Sequence, residues 1–361
     1  MKSERGIMKY KDFIYYPFKK GGFGKGSVII YHNDDVKIVP GYPSIKRLVL
    51  LSKVPEHFPE GVSVEEKMNG YNVRAMIVGG DVAFITRGGY LCPYTNARLN
   101  TLYGEKVKAL LEELPPGSFL AGEVVGVENP YVRVKYPEAP YFDYFIFDIF
   151  VKTEDGWRQM PVEERHEIVK RHGLRSVRLL GTFESSEAPL KIKEIIDRFD
   201  KEGREGVVMK DPEYKRSPAK YTGSYTNIGD IREGMRYPFD EGKDYLFPRI
   251  VREIFKVYEE GLSDKELERR ALELGMAILK PAVESLKEVA QGETLFERFV
   301  LRFPHEEDLE EYLNYTRSLG VKVIVEEKWE EGEWIVVKAK KFKNTSNVYR
   351  SMLKSGQTPL D

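Results

Sequence analysis

The segment that most limits how this chain folds lies between residues 62 and 85. Val62-Ser63-Val64 opens a β-rich run that ends at Lys67, and Gly70 follows it. Ala75-Met76-Ile77-Val78 and Val82-Ala83-Phe84-Ile85 flank Gly79-Gly80-Asp81. Two β-rich runs around a Gly-Gly-Asp turn predict a hairpin. Lys67 therefore sits where one strand ends and a turn begins. A lysine there is either a solvated residue beside Glu65 and Glu66 or a nucleophile, since an amine attacks phosphorus once it has shed its proton. Residues further along bear on that choice.

The 361 residues exceed one small core, and roughly two to four domains are expected. Charged residues make up 32% of the chain, above the usual ~25%, a level compatible with a heat-adapted protein. The net charge is only −1, so any basic site must be local. Cys92 is alone, which excludes an internal disulfide and a cysteine-rich zinc site and points to a cytoplasmic home. No apolar run approaches ~20 residues, so no membrane span is expected, and residues 1–6 do not read as a signal peptide.

Residues 1–60 read as a β-rich segment. Phe13-Ile14-Tyr15-Tyr16, Val28-Ile29-Ile30-Tyr31 and Val36-Lys37-Ile38-Val39 are separated by glycines and by Asn33-Asp34-Asp35. Gly21-Gly22-Phe23-Gly24 reads as a turn rather than a phosphate loop, because no Gly-Lys-Ser/Thr ending and no helix follow. Lys46 and Arg47 are either a surface basic pair or cations for a phosphate tail.

Past the hairpin, Arg87 precedes Gly88-Gly89, where a guanidinium with fixed donors can reach a phosphate or ribose. Helical spacing over 103–114 stops at Pro115-Pro116-Gly117. The next apolar strand holds Glu123, and a carboxylate inside such a strand is either salt-bridged or turned toward a metal or ligand. An aromatic strand over 141–150 follows, and period two puts Phe145, Phe147 and Ile149 on one face. Those rings are ordinary core, or one is a floor for a flat base. Helical stretches at 162–172 and 191–199 lead to Glu205-Gly206-Val207-Val208-Met209-Lys210, and Lys220 comes ten residues later.

In order, the landmarks are Lys67-x-Asn69-Gly70, Glu123, Phe147-Asp148, Glu205-Gly206-x-x-x-Lys210 and Lys220. This order resembles the covalent nucleotidyltransferases, the superfamily of ATP-dependent ligases and mRNA capping enzymes. Glu66-Lys67-x-x-Gly70-x-Asn72 resembles its RNA ligase branch, with asparagine where DNA ligases usually carry arginine. With its tail, the chain resembles the homodimeric archaeal ATP-dependent RNA ligases that circularise RNA.

The resemblance implies an α+β fold, with a nucleotidyltransferase (adenylation) domain of two antiparallel sheets and flanking helices. It implies that Lys67 takes AMP from ATP, that the Glu66 backbone meets adenine, and that Asn72 and Arg87 lie near ribose and phosphate. Asn69 stands where an aspartate is commoner, and Gly70 completes that motif. Glu123 would face ribose or metal, Phe147 would stack on the base, Glu205 would help place Mg2+ or Mn2+, and Lys210 and Lys220 would hold phosphates. The substrates implied are RNA ends, a 5′-phosphate and a 3′-hydroxyl.

The tail reads as helices over 247–259 and 264–291, with Ser263-x-x-Glu266 as a capping box, then a small α+β unit. Ile250, Ile254 and Val257, with Leu267, Ala271, Leu274 and Ile278, form apolar faces for a second subunit or for the chain's own catalytic domain. Lys338, Lys340, Lys341 and Lys343 form a basic strand end that is either solvated or in contact with RNA. The expected units are 1–60, 61–241, 242–292 and 293–361. Two other readings stay open. One is an ATP-dependent DNA ligase or other nucleotidyltransferase, against which Asn72 and the missing OB-fold-like tail count. The other is an RNA-end-binding protein without catalysis, against which the set Lys67, Glu123, Glu205 and Lys220 counts.

Overall fold

The computed structural model describes residues 6–18, 24–241 and 243–358; residues 1–5 and the turn expected at Gly21-Gly22-Phe23 lie outside them. The hairpin forms as expected, with Tyr71–Val78 and Asp81–Thr86 joined through Gly79 and Gly80 at φ 57° and 90°, a backbone that favours glycine.

Two sheets face each other across a groove. In the first, the order is Gly156–Gln159, Asp143–Thr153, Phe119–Val125, Tyr71–Val78, Asp81–Thr86, all antiparallel, with Arg175–Ser176 added in parallel to Asp143–Thr153. In the second, Leu179–Phe183, Val62–Lys67, Gly206–Lys210 and Ala219–Thr222 run antiparallel, and Lys46–Arg47 closes the edge in parallel.

Alternation along these strands decides what enters the groove. Val62, Val64, Val207, Met209, Ala219 and Tyr221 pack against Ile192, Ile195, Ile196 and Phe199 of helix Ala188–Glu202. That leaves Glu65 and Lys67, registered opposite Val208 and Gly206, on the groove side with Lys220, which is also opposite Val208. In the first sheet, Val73, Ala75, Leu120 and Ile146 join the core that includes Leu99, Val107 and Leu110 of helix Pro93–Glu112. Asn72, Glu123 and Phe145 are cross-strand partners on the opposite, groove-side face. The four-stranded antiparallel sheet built from residues 8–39 covers the rest of that face, Tyr15, Val28 and Ile30 packing with Met76, Ile85 and Ala121.

The aromatic strand departs from simple period two. A bulge between Ile146 and Asp148 makes Phe147 the extra residue, so Phe145 pairs with Glu123 while Ile149, paired with Leu120, turns to the other core. Phe145, Phe147 and Ile149 therefore do not share one face.

Beneath the groove a buried ionic network ties the sheets together. Glu65 accepts from Arg165 and lies 2.7 Å from both Lys210 Nζ and His166 Nε2. Lys210 also donates to the Phe147 carbonyl at 2.5 Å and to Asp148 at 2.9 Å, and Arg165 to the Ile146 carbonyl at 3.3 Å. Tyr42 and Tyr214 donate to Asp148. Burial alone would raise the Glu65 pKa, yet Lys210 and Arg165 hold it well below the usual carboxylate range.

In the tail, helices Lys243–Glu260 and Asp264–Ala290 stand on helix Ser224–Arg236, and the capping box at Ser263 and Glu266 forms. Of the two surfaces expected for Ile250, Leu274 and Ile278, the chain's own covers them: they pack with Ile228, Ile231 and Ala277. The sheet of Phe296–Phe303, Trp334–Phe342 and Val323–Glu331 is tied to the two-sheet half by Glu128, 2.7 Å from Arg98 and 2.8 Å from Arg302. Among the described residues no helix is long and apolar enough to cross a membrane.

Removing one partner from a buried ionic network leaves an uncompensated charge. Arg165→Met is expected to lower the free energy of unfolding by about 3–5 kcal/mol in a guanidinium titration. A loss under about 1 kcal/mol would mean that Lys210 alone sustains Glu65.

Candidate active site

Lys67 ends its strand with its side chain partly open to the groove. Its Nζ lies 2.7 Å from Glu205 Oε2. The contact follows from register, since Lys67 is paired with Gly206 and Glu205 immediately precedes it. Two glycines let neighbouring backbones come close beside the groove. A Cβ at Gly70 would lie 2.1 Å from the Val124 carbonyl oxygen, and one at Gly206 would lie 2.3 Å from that of Tyr221.

Glu123 faces Lys67 from the other sheet. Burial pushes its carboxyl up to about 7, the Glu205 carboxylate adds to the rise, and Lys67, Arg87 and the Gly70 amide oppose it. Asn72, its cross-strand partner, carries a buried Oδ1 with no hydrogen-bond partner among the described residues. Lys220 is half-buried with no ion pair among the described residues, and burial followed by Arg47, Lys67 and Arg87 pushes its amine down to about 8. Arg87 is exposed, with no hydrogen bond or ion pair among the described residues. Lys67, Glu123, Glu205, Arg87 and Lys220 thus form one electrostatic cluster.

The other expected site residues sit around it or apart from it. Asn69 donates its amide to Tyr136 Oη at 2.7 Å. Phe147 is half-buried at its bulge, with the Tyr42 ring edge-on at 5.3 Å. Glu66 turns away from the groove; its carboxylate is 2.6 Å from both Arg178 and Arg204, and its amide donates to the Arg178 carbonyl. Lys210 is 1% exposed and its amine is occupied by Glu65, Asp148 and the Phe147 carbonyl. It shares the groove face but holds up the floor there. Lys338, Lys340, Lys341 and Lys343 are each within 3.1 Å of a glutamate, but Lys341 and Lys343 share Glu297 with Arg133 and Lys340 shares Glu326 with Arg298, so every amine is engaged while the strand end keeps a positive excess.

Sequence reasoning missed Glu65 and Tyr136. Glu65 lies two residues before Lys67, on the same face of a strand, and that spacing is the signal that could have found it. Tyr136 comes from an irregular segment with no comparable pattern.

Among the described residues no three His, Cys, Asp or Glu side chains are grouped to hold a metal ion. Two carboxylates near one another, Glu123 and Glu205, suit magnesium, which takes one or two carboxylates and completes its shell with water and substrate phosphates. A divalent cation held there would shield the phosphates during attack. The unpaired Asn72 Oδ1 and Lys220 are polar groups left open for a ligand of matching polarity.

A groove between two antiparallel sheets, with a strand-end lysine, facing carboxylates and unpaired cations, defines a covalent nucleotidyltransferase. Models of known families match two stretches, "RNA ligase" over residues 60–222 and "Ligase Pab1020 C-terminal region" over residues 234–356. An uncharacterized protein of Methanocaldococcus jannaschii is 37% identical over 340 residues, 92% of this chain and 84% of its own length. One form of an archaeal ATP-dependent RNA ligase superposes with a TM-score of 0.88 at 35% identity, covering 99% of this chain and 93% of that one. A protein of Aquifex aeolicus, provisionally named an ATP-dependent DNA ligase, gives 0.86 at 29% identity, covering 98% of this chain and 96% of its own. The chain belongs to the archaeal ATP-dependent RNA ligase family.

The Glu123 carboxyl yields a pH test. Its folded pKa is above the 4.5 of an ordinary glutamate, so its contribution is fully present below that value and is lost as pH rises to about 7. At ~1.36 kcal/mol per pH unit the loss is up to about 3 kcal/mol. In metal-free buffer the wild type is expected to lose more stability between pH 4.5 and 7.5 than Glu123→Gln does, read by denaturant titration. Equal losses would contradict the assignment.

Proposed function

We propose that Lys67 is the nucleophile of an ATP-dependent RNA ligase and that the groove carries all three steps of sealing. The free amine of Lys67 attacks the α-phosphorus of ATP and pyrophosphate leaves. AMP then passes from Lys67 to an RNA 5′-phosphate, and a 3′-hydroxyl attacks the resulting anhydride, releasing AMP and forming the phosphodiester. The observation that carries this reading is the placement of Lys67 Nζ 2.7 Å from Glu205 and within the same electrostatic cluster as Glu123, Arg87 and Lys220.

The residues divide by role. Phe147 is the ring on which adenine stacks, worth about 1–3 kcal/mol. Asn72 and Arg87 meet ribose and phosphate, Asn69 and Gly70 shape the turn after the nucleophile, and the Glu66 backbone borders the base. Lys220 holds phosphate oxygens. Glu123 and Glu205 would hold Mg2+ or Mn2+, which would supply charge neutralisation at the phosphates. Lys210 acts by fixing the Phe147 bulge. The family model over 60–222 and the tail model from 234 support a division near the expected unit borders. The single buried Cys92 supports a reducing, cytoplasmic compartment.

Incubation with ATP and magnesium is expected to add one AMP to the wild-type mass and none to Lys67→Ala or Lys67→Arg. An adduct on Lys67→Ala would remove Lys67 from the chemistry. ATP should label the protein in clear preference to GTP. The similarity to the Aquifex protein favours DNA ends as the second reading, and sealing assays on matched RNA and DNA ends separate the two.

We also propose a homodimer built on the tail helices. Phe247 and Tyr258 are 68% and 77% exposed on one helix, and Leu272 and Leu279 are 67% and 66% exposed on the next. Their spacings, eleven and seven residues, place each pair on one side of its helix. Burying a large apolar side chain contributes about 1.5–3 kcal/mol, so four on each side can offset the entropy of association. Light scattering at micromolar concentration should give a dimer for the wild type and a monomer for Leu272→Glu combined with Leu279→Glu. A monomeric wild type would end this proposal and leave the lysine chemistry standing.

A further inference from the structure

The edge of the five-stranded sheet carries a second group of unpaired cations, supplied partly by the tail. Strand Lys46–Arg47 runs beside Ala219–Thr222, with Arg47 registered next to Lys220. Helix Lys243–Glu260 crosses this edge, and its Arg252 and Lys256 line a small recess with Arg47, Tyr221 and Thr222.

The cations of this recess are unequally satisfied. Lys256 is 2.5 Å from Asp200 and 3.6 Å from Glu260. Arg249, one turn before, is 2.6 Å from Asp230. Arg252 has no hydrogen bond or ion pair among the described residues, and Arg47 donates only to Thr222 Oγ1, at 2.7 Å. Glu205, whose charge reaches both guanidiniums, is already engaged by Lys67. Burial and then Arg252 push Arg47 down to about 10. Half-buried like charges that weaken one another are costly until an anion enters, and a guanidinium fork matches phosphate.

The direction of the row indicates which phosphate. From Lys67 the sheet runs through Gly206–Lys210 and Ala219–Thr222 to Lys46–Arg47, so the cations extend from the nucleophile through Lys220 toward Arg47 and Arg252. Displacement at phosphorus puts the leaving group in line with the nucleophile, on its far side. As the Nζ–Pα bond forms, the Pα–O bond to the β-phosphate breaks. Pyrophosphate leaves with that electron pair, and the proton of the attacking amine goes to solvent.

We propose that Arg47 and Arg252 hold the β- and γ-phosphates of ATP during attack by Lys67 and receive the departing pyrophosphate. The tail helix thereby completes the site for the first chemical step. The inference rests on Lys67 as the adenylylated residue.

The test resolves the steps. For Arg252→Ala and Arg47→Ala, formation of the AMP adduct from ATP is expected to fall at least about tenfold, the loss of one charge-assisted contact. Pyrophosphate-driven release of AMP from pre-adenylylated protein should fall alongside it. Sealing of pre-adenylylated RNA without ATP needs no pyrophosphate site and should stay within about twofold of wild type. A common fall in all steps would mean that the arginines only hold the fold, and would overturn the proposal. A fall confined to AMP transfer onto RNA would assign the recess to the RNA 5′-phosphate instead, and would overturn it as well. Failure of the wild type itself to form the adduct would instead strike the Lys67 reading.

Discussion

The ionic network around Glu65 is the contact on which the groove depends. Glu65 belongs to the strand of Lys67, while Lys210 and Arg165 reach past it to the Phe147 and Ile146 carbonyls of the opposite sheet. The sheets are therefore joined by charge-assisted bonds at the base of the groove, where apolar packing would close it. Such a network tolerates no missing member, because each remaining charge would lie buried and alone. It also fixes the bulge that presents Phe147, so Lys67, the proposed nucleophile, and Phe147, the proposed floor for the base, share one support.

Much of this was legible in the sequence, and the limits have physical causes. The hairpin after Lys67, the strand bearing Glu123 and the strand opening at Gly206 follow from local pattern and turn chemistry. Gathering Lys67, Glu123 and Glu205 needed pairing across strands far apart in sequence, and the order of motifs stood in for that pairing. Lys210 shows what motif order leaves out. It occupies a conspicuous strand-end position, yet Glu65 and Asp148 decide what it does, and neither contact is local. The bulge at Phe147 is of the same kind. Alternation predicts faces only while each residue has one partner, and an inserted residue resets it.

The tail illustrates a related limit. Period 3.6 identifies an apolar face but not the surface that covers it. Ile250, Leu274 and Ile278 were read correctly as apolar positions, and helix Ser224–Arg236 covers them within the same chain. Ile254 and Leu267, also read as apolar face positions, stay 60% and 46% exposed, and Phe247, Tyr258, Leu272 and Leu279 are exposed as well. The second helix therefore has a docked apolar side and an exposed one, whereas on the first the exposed positions border the docked face.

Pairing of charge separates scaffold from site more sharply than the number of charges does. The chain carries 57 basic and 58 acidic side chains, so basic residues are common everywhere on it. The lysines at 338–343 look like an RNA-binding strand end in sequence, and each amine is engaged by a glutamate, although Glu297 serves Lys341, Lys343 and Arg133 together. Lys220, Arg87, Arg47 and Arg252 have no such partner among the described residues. Three of these four are half-buried, where solvent repays least of the cost of an unpaired charge. A fold that could have neutralised them with any of its many carboxylates, and does so a turn away at Arg249 and Lys256, leaves them for an anion that comes and goes.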